Sequence, residues 1–285
     1  MRAYTGRHAR LLILSLAAAV LSLLAACAAP SGQATIAPAS STAAAAASTP
    51  ASTSVPTTTG AAASQAPACV PPPAGMVAWW RAEGDASDAV GTNLGSLNGV
   101  TIETGKVGRA FTTDGTSQYV EVAGASDLQL KTAISIEGWV YAAGAPNSYA
   151  GIAGTWDDNS GANRTYLFWV LNGGLEFIVS PDGSSLQRAS DPTPLPLDAW
   201  VHVAATYDGT TIHLYRDGAE VASAAMSGSI ALNDKAFLIG RTEGGSVGPN
   251  FWKGGIDELT VYSRALGPAE IAAIHTAGSA GKCRA

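Results

Sequence analysis

The chain has 285 residues, 47% of them hydrophobic, with 16 Lys and Arg against 22 Asp and Glu and a net charge of −6. That apolar share excludes a wholly disordered chain, and the acidic balance, with no basic cluster, excludes phosphate backbones, so no nucleic acid is expected as partner. No Asp, Glu, Lys or Arg falls between Ala28 and Ala68, which confines the globular region to Cys69–Ala285, enough chain for one large sandwich.

In chain order, the first element is an address. Arg2, Arg7, His8 and Arg10 form a positive start, and Leu11–Leu24 is an apolar run of signal-peptide length, too short for a comfortable membrane span. Leu24, Ala25, Ala26 and Cys27 close it and resemble the lipobox of bacterial lipoproteins. The resemblance implies removal of residues 1–26 and lipidation of Cys27, the alternative being an ordinary signal peptide cut elsewhere. The expected localisation is exported, lipid-anchored to the cell membrane or outer membrane, periplasmic or cell-surface. Several acyl chains would hold the anchor, the chain's one contact with a membrane. Ala28 in place of Asp argues, by the same resemblance, against inner-membrane retention in a two-membrane host. Losing Arg2, Arg7 and Arg10 leaves 13 basic residues against 22 acidic, a balance of −9.

After Cys27 the chain to residue 68 is Ala, Ser, Thr and Pro with almost nothing else. It cannot bury a core and reads as a flexible tether spanning about 35 Å. With Cys27 lipidated, Cys69 and Cys283 remain, one at each end of the globular region. An exported compartment permits them a disulfide, two free thiols being the alternative.

From Met76 onward short alternating segments are separated by turn signals. Ile134, Ile136, Gly138 and Val140 share one face, with Ser135, Glu137, Trp139 and Tyr141 on the other. Val201, Val203, Ala205 and Tyr207 alternate with His202, Ala204 and Thr206. Asp208-Gly209 and Asp217-Gly218 mark two hairpins around Thr211–Arg216. Further strands are expected at Met76–Trp80, Arg109–Thr113, Gln118–Val122, Tyr149–Thr155, Thr165–Val170, Leu175–Ser180, Glu220–Ala224, Ala236–Gly240 and Gly255–Tyr262. One helix opens at Pro268, with Ile271, Ile274 and His275 at helical spacing and Gly278 to end it. The expected fold is all-β, a two-sheet antiparallel jelly-roll sandwich with one short C-terminal helix.

Several motifs together resemble the LamG-like jelly roll of the concanavalin A-like lectin/glucanase superfamily. They are Met76-Val77-Ala78-Trp79-Trp80, Gly105–Phe111 with Asp114-Gly115 and Tyr119-Val120, Ile136–Val140, Trp200–Ala204 with Tyr207-Asp208-Gly209, and Gly255–Leu266. The likeness runs from Met76 to about His275. It implies two antiparallel sheets, a frequent structural calcium, and carbohydrate or protein binding.

Calcium is the expected cofactor, a hard cation taking oxygen ligands, with Asp88, Asn93 and Asp257 as candidate ligands. Turn aspartates bonded to their own backbone are the competing reading. Sugar binding needs an aromatic platform beside planar polar groups. Tyr149, Trp156, Asp158 and Asn159 are candidates in one segment and Trp252 in another, core filling being the competing role of both tryptophans. Trp79, Trp139, Trp169 and Trp200 are read as structural.

Glycan hydrolases of this superfamily carry Glu-x-Asp-x-Glu on one strand, and no such run is present. Asp257 and Glu258 are adjacent and should point to opposite faces. The chain therefore reads as a non-catalytic, envelope-anchored, lectin-like module for glycan or extracellular matrix. The rival is a protein-interaction lipoprotein without a sugar site, and a glycan hydrolase stands third.

Overall fold

The computed structural model describes residues 68–159, 163–244 and 250–284. The expectations for Cys27 and for the leader and tether up to residue 67 lie outside them. No described helix is long and apolar enough to cross a membrane.

The domain opens with β1 (Met76–Trp80), followed by the short strands β2 (Ser96–Asn98) and β3 (Thr101–Thr104). Next come β4 (Arg109–Asp114), β5 (Tyr119–Val122), β6 (Ile134–Ala142), β7 (Tyr149–Asp157) and β8 (Asn163–Leu171). β9 (Gly174–Val179) and β10 (Gln187–Asp191) lead to the hairpin series β11 (Trp200–Tyr207), β12 (Thr211–Arg216) and β13 (Ala219–Ala225). The chain ends with β14 (Phe237–Ile239), β15 (Arg241–Thr242), β16 (Asn250–Phe251), β17 (Lys253–Tyr262) and helix α1 (Pro268–Ala277).

The strands form the expected all-β sandwich. One sheet runs β13-β12-β11-β6-β17-β4-β3, with β1 also on β17; the other runs β10-β9-β8-β7-β14-β5-β2. All these pairings are antiparallel. The turn chemistry explains the tight hairpins. Asp217 (φ 49°) and Gly218 (φ 80°) both adopt the left-handed backbone that a two-residue turn between twisted strands requires.

The core lies between the sheets. It takes Ile134, Ile136 and Val140 from β6, Val201, Val203, Ala205 and Tyr207 from β11, and Phe168 and Phe177 from the facing sheet. Trp80 stacks on Phe237 across the sandwich, ring centroids 5.3 Å apart.

The outer face of the β6-β17 sheet is not left to solvent. α1 lays Ile271 and Ile274 on Ala204, Tyr215 and Tyr262. Pro268 opens α1, and the Glu270 carboxylate accepts from Gly267 N (2.9 Å). Cys69 and Cys283 form the expected disulfide.

β17 departs from the expected alternation. Its register shifts between Asp257 and Thr260, and Glu258 sits at φ 56°. Asp257 pairs opposite Trp139, while Glu258 reaches Lys282, which also bonds Glu137. Both carboxylates thus face the covered outer side and are buried, not turned to opposite faces.

Candidate functional site

β7 crosses the middle of the second sheet. Its last residues, with the β15 strand laid over the sheet, bound a cleft of about 390 Å³ on the sheet's outer side. The close approach needs Gly151, where a Cβ would meet the Arg241 backbone at 2.5 Å. Trp156 and Leu238 give the cleft apolar wall; Asp157, Asn159, Lys235, Arg241 and Glu243 give it charge and hydrogen-bonding groups.

The polar groups hold one another in place. Asp157 Oδ1 accepts from Asn159 N (2.7 Å), and its Oδ2 lies 3.3 Å from Lys235 Nζ. Arg241 Nη2 meets Glu243 Oε1 at 2.5 Å, and the guanidinium lies 4.5 Å from the Tyr119 ring centroid and 5.4 Å from that of Phe251. Stacking on two rings fixes the plane of the guanidinium. The cleft therefore alternates cations and carboxylates along an apolar wall, an arrangement suited to a ligand rich in hydroxyl groups.

The expected ligand residues separate here. Trp156 and Asn159 line the cleft, but Trp156 is only 4% exposed and packs on Leu167 and Ile178, so it is a wall and not an open platform. Asp158 turns to Arg164, whose guanidinium lies over the Trp156 ring. Tyr149 begins β7 at the opposite end and packs on Trp169, centroids 5.2 Å apart. Trp252 is fully buried in the core, its Nε1 donating to Gly255 O (3.2 Å), so it can touch no ligand. Its flanking glycines and polar residues suggest a loop, whereas the short β16 before it and β17 after it place the ring between the sheets.

The metal trio also divides. Asp88 Oδ1 accepts from Trp79 N (2.9 Å), and Ala89 N donates back to Trp79 O (2.9 Å), so Asp88 sits along the edge of β1 away from β17. Asn93 joins it: Nδ2 donates to Asp88 Oδ2 (2.9 Å), Asp127 Oδ2 (3.2 Å) and Val77 O (3.3 Å). Asp257 lies on β17 beyond β1, its Oδ2 accepting from Val107 N (2.8 Å). Strand β1 thus separates Asp257 from the other two. Among the described residues no three His, Cys, Asp or Glu cluster as a metal site.

Lys235 and Arg241 were not singled out from sequence, whereas Glu243 stands with Asn250 and Trp252 in the polar segment read there. The available signal was the two-residue spacing of Arg241 and Glu243, which puts both on one side of an extended segment. A second groove was missed as well. Trp200 and Tyr141, 5.5 Å apart, line about 380 Å³ on the outer side of the other sheet with Glu103, Thr112 and Gly255. Trp200 lies on the bare Gly255 backbone, where a Cβ would meet its ring at 2.5 Å.

Comparison with known proteins agrees with this architecture. The Laminin_G_3 family model, described as the concanavalin A-like lectin/glucanases superfamily, matches residues 114–272. No curated protein matches. Domain 4 of AbnA, a GH43 extracellular arabinanase from Geobacillus stearothermophilus, solved in complex with arabinotriose, is 21% identical. That alignment covers 69% of this chain and 96% of the other, with a TM-score of 0.56. The binding domain of Paraclostridial Mosquitocidal Protein 1 is 15% identical over 70% of this chain and 52% of the other, TM-score 0.57. The binding domain of botulinum neurotoxin DC, in complex with SialylT, is 13% identical over 71% and 51%, TM-score 0.54. The chain thus spans about half the length of the two toxin domains. At such identities the likeness speaks to fold alone, and with the family match it makes the chain a member of the concanavalin A-like lectin/glucanase superfamily.

Proposed function

We propose that this chain is a non-catalytic, lectin-like module that binds glycan in the cleft between the end of β7 and β15. The observation that carries the reading is the fixed alternation of Lys235, Asp157, Arg241 and Glu243 beside the Trp156 wall. Carboxylates paired with cations are ready acceptors for sugar hydroxyls. A hydrolase would need one of two facing carboxyls held protonated as an acid. The arabinotriose complex of the AbnA domain supports sugar binding on this fold.

We further propose that the domain is exported and held at the envelope by lipid on Cys27, at the end of the Ala/Ser/Thr/Pro tether. The Cys69–Cys283 disulfide supports an oxidising compartment. Calcium enters this reading as a structural ion. Asp88 Oδ2, Asp127 Oδ2 and the Val77 carbonyl converge on one point, now taken by Asn93 Nδ2. Calcium there would need Asn93 to turn its Oδ1 inward in place of Nδ2, which gives four of the roughly six to eight oxygens the ion takes. Asp257 is not part of the set.

The first experiment is a glycan-array screen of the full chain, with and without calcium, beside Arg241→Ala. Binding of a defined sugar class that Arg241→Ala loses supports the cleft. A blank array from folded protein favours the protein-interaction reading and overturns this one.

A further inference from the structure

Five side chains the proposed binding site does not use meet under the C-terminal segment. Glu137 on β6, His202 on β11, Glu258 and Tyr262 on β17 and Lys282 near the C-terminus are all buried. Lys282 Nζ lies 2.9 Å from Glu137 Oε1 and 3.3 Å from Glu258 Oε2. Tyr262 OH donates to Glu137 Oε1 (3.2 Å), and His202 Nε2 lies 3.2 Å from Glu137 Oε2. Trp79 donates to Glu258 Oε2 (3.0 Å), and its ring lies 5.3 Å from Lys282 Nζ.

We propose that Lys282 and Glu137 join in an intramolecular amide, with Glu258 as the proton carrier. The constellation has each part such a condensation needs. The amine is the nucleophile, in van der Waals reach of the carboxyl it would attack. Tyr262 donates to Glu137 Oε1 and His202, as its Nε2–H tautomer, to Oε2, and both draw electron density from the carboxyl carbon. Glu258 touches the nitrogen and can accept its proton. Water is excluded, and the Cys69–Cys283 disulfide beside Lys282 holds the amine in place.

The atoms and charges balance from the ion pair itself. Lys282 Nζ carries three hydrogens and Glu137 none. Nζ passes one proton to Glu137 Oε1 along their contact, which leaves a neutral amine facing a neutral, electrophilic carboxyl. The amine attacks the carboxyl carbon and a C–N bond forms. Glu258 takes a second proton from the nitrogen and hands it to Oε1, the C–Oε1 bond breaks, and one water leaves with two of the three hydrogens. Oε2, beside His202, becomes the amide carbonyl. Nothing is oxidised or reduced.

The pair stands as ions. Burial pushes the Glu137 carboxyl up, but Lys282 and His202 outweigh it and hold it down at about 2. Burial pushes the Lys282 ammonium down, but Glu137 and Glu258 hold it above its ordinary range, so the opening proton transfer is the uphill step. The amide abolishes both charges and returns a water to solvent. Burial holds the Glu258 carboxyl above its ordinary range even against the pull of Lys282, which makes it a better proton acceptor. The product is a second covalent tie between the C-terminal segment and the centre of the sheet.

The test is peptide mapping of the full chain after reduction and trypsin digestion. The expected result is a branched peptide joining the Glu137 and Lys282 segments, one water lighter than their sum, with no cleavage after Lys282. Linear peptides, with cleavage after Lys282, overturn the proposal, and this needs no variant. In Glu258→Gln the branched peptide should be lost; its formation to the same extent would overturn the role given to Glu258.

Discussion

Cys69 and Cys283 stand 214 residues apart in sequence and 4.9 Å apart between their Cα atoms, joined by a disulfide. Val70 N donates to Gly281 O (2.9 Å) and Cys283 N to Val70 O (2.8 Å), so the two ends also pair through their backbones. A loop this long removes much entropy from the unfolded chain, roughly 4–5 kcal/mol in the chain-entropy account. Reduction should therefore lower the denaturant midpoint of the full chain clearly. A midpoint indifferent to reductant would mean that the backbone pairing alone closes the domain.

The sandwich was legible because alternation in β6 and β11 is strict and the Asp-Gly turns are strong signals. β2, β3, β10, β15 and β16 were not, since each carries at most one apolar residue and so shows no apolar period. The site was less legible than the fold. Lys235 and Arg241 reach one cleft from segments that only the β15 crossover brings together, and no local pattern encodes that meeting. Trp252 takes the core-filling role that competed with sugar contact, and Trp200, read as structural, lines a surface groove, because burial of a tryptophan depends on what covers it. Trp252 enters the core, while Trp200 lies flat on Gly255 at the surface of the other sheet.

The two grooves make a discriminating pair of variants. Arg241→Ala removes a guanidinium held by Tyr119, Phe251 and Glu243 and should weaken glycan binding about tenfold or more, the equivalent of one charged hydrogen bond. Trp200→Ala should leave binding unchanged while the fold persists. Titration calorimetry with arabinotriose, or with whichever sugar class an array returns, reads the difference. Loss in Trp200→Ala with retention in Arg241→Ala would move the site to the Tyr141–Trp200 groove.

Calcium should raise the melting temperature relative to chelator, since an ion bound only by the folded state stabilises it by mass action. Asp127→Ala should abolish that rise, because Asp127 supplies one of the three converging oxygens. Asp257→Asn should keep it. A melting temperature indifferent to calcium in the parent chain removes the ion from the reading. A rise lost in Asp257→Asn but kept in Asp127→Ala would return the site to β17.

Asp257 makes stability depend on pH in a definite direction. Burial, opposed by the Val107 amide and reinforced by the neighbouring Glu258 charge, pushes its carboxyl from 3.8 up to about 8. The unfolded chain loses this proton near pH 4, and the folded chain keeps it until about pH 8. Across that window the folded state binds more protons, so stability is greatest at the acid end, falls as pH rises and levels off above the window. The slope from this group is at most about 1.4 kcal/mol per pH unit. Asparagine is already neutral, and its carbonyl can still accept from Val107 N. Asp257→Asn should therefore flatten the decline seen in urea midpoints between about pH 5 and about pH 9. If the parent chain shows no decline, or the variant declines as steeply, burial of this carboxyl is not what sets the pH response.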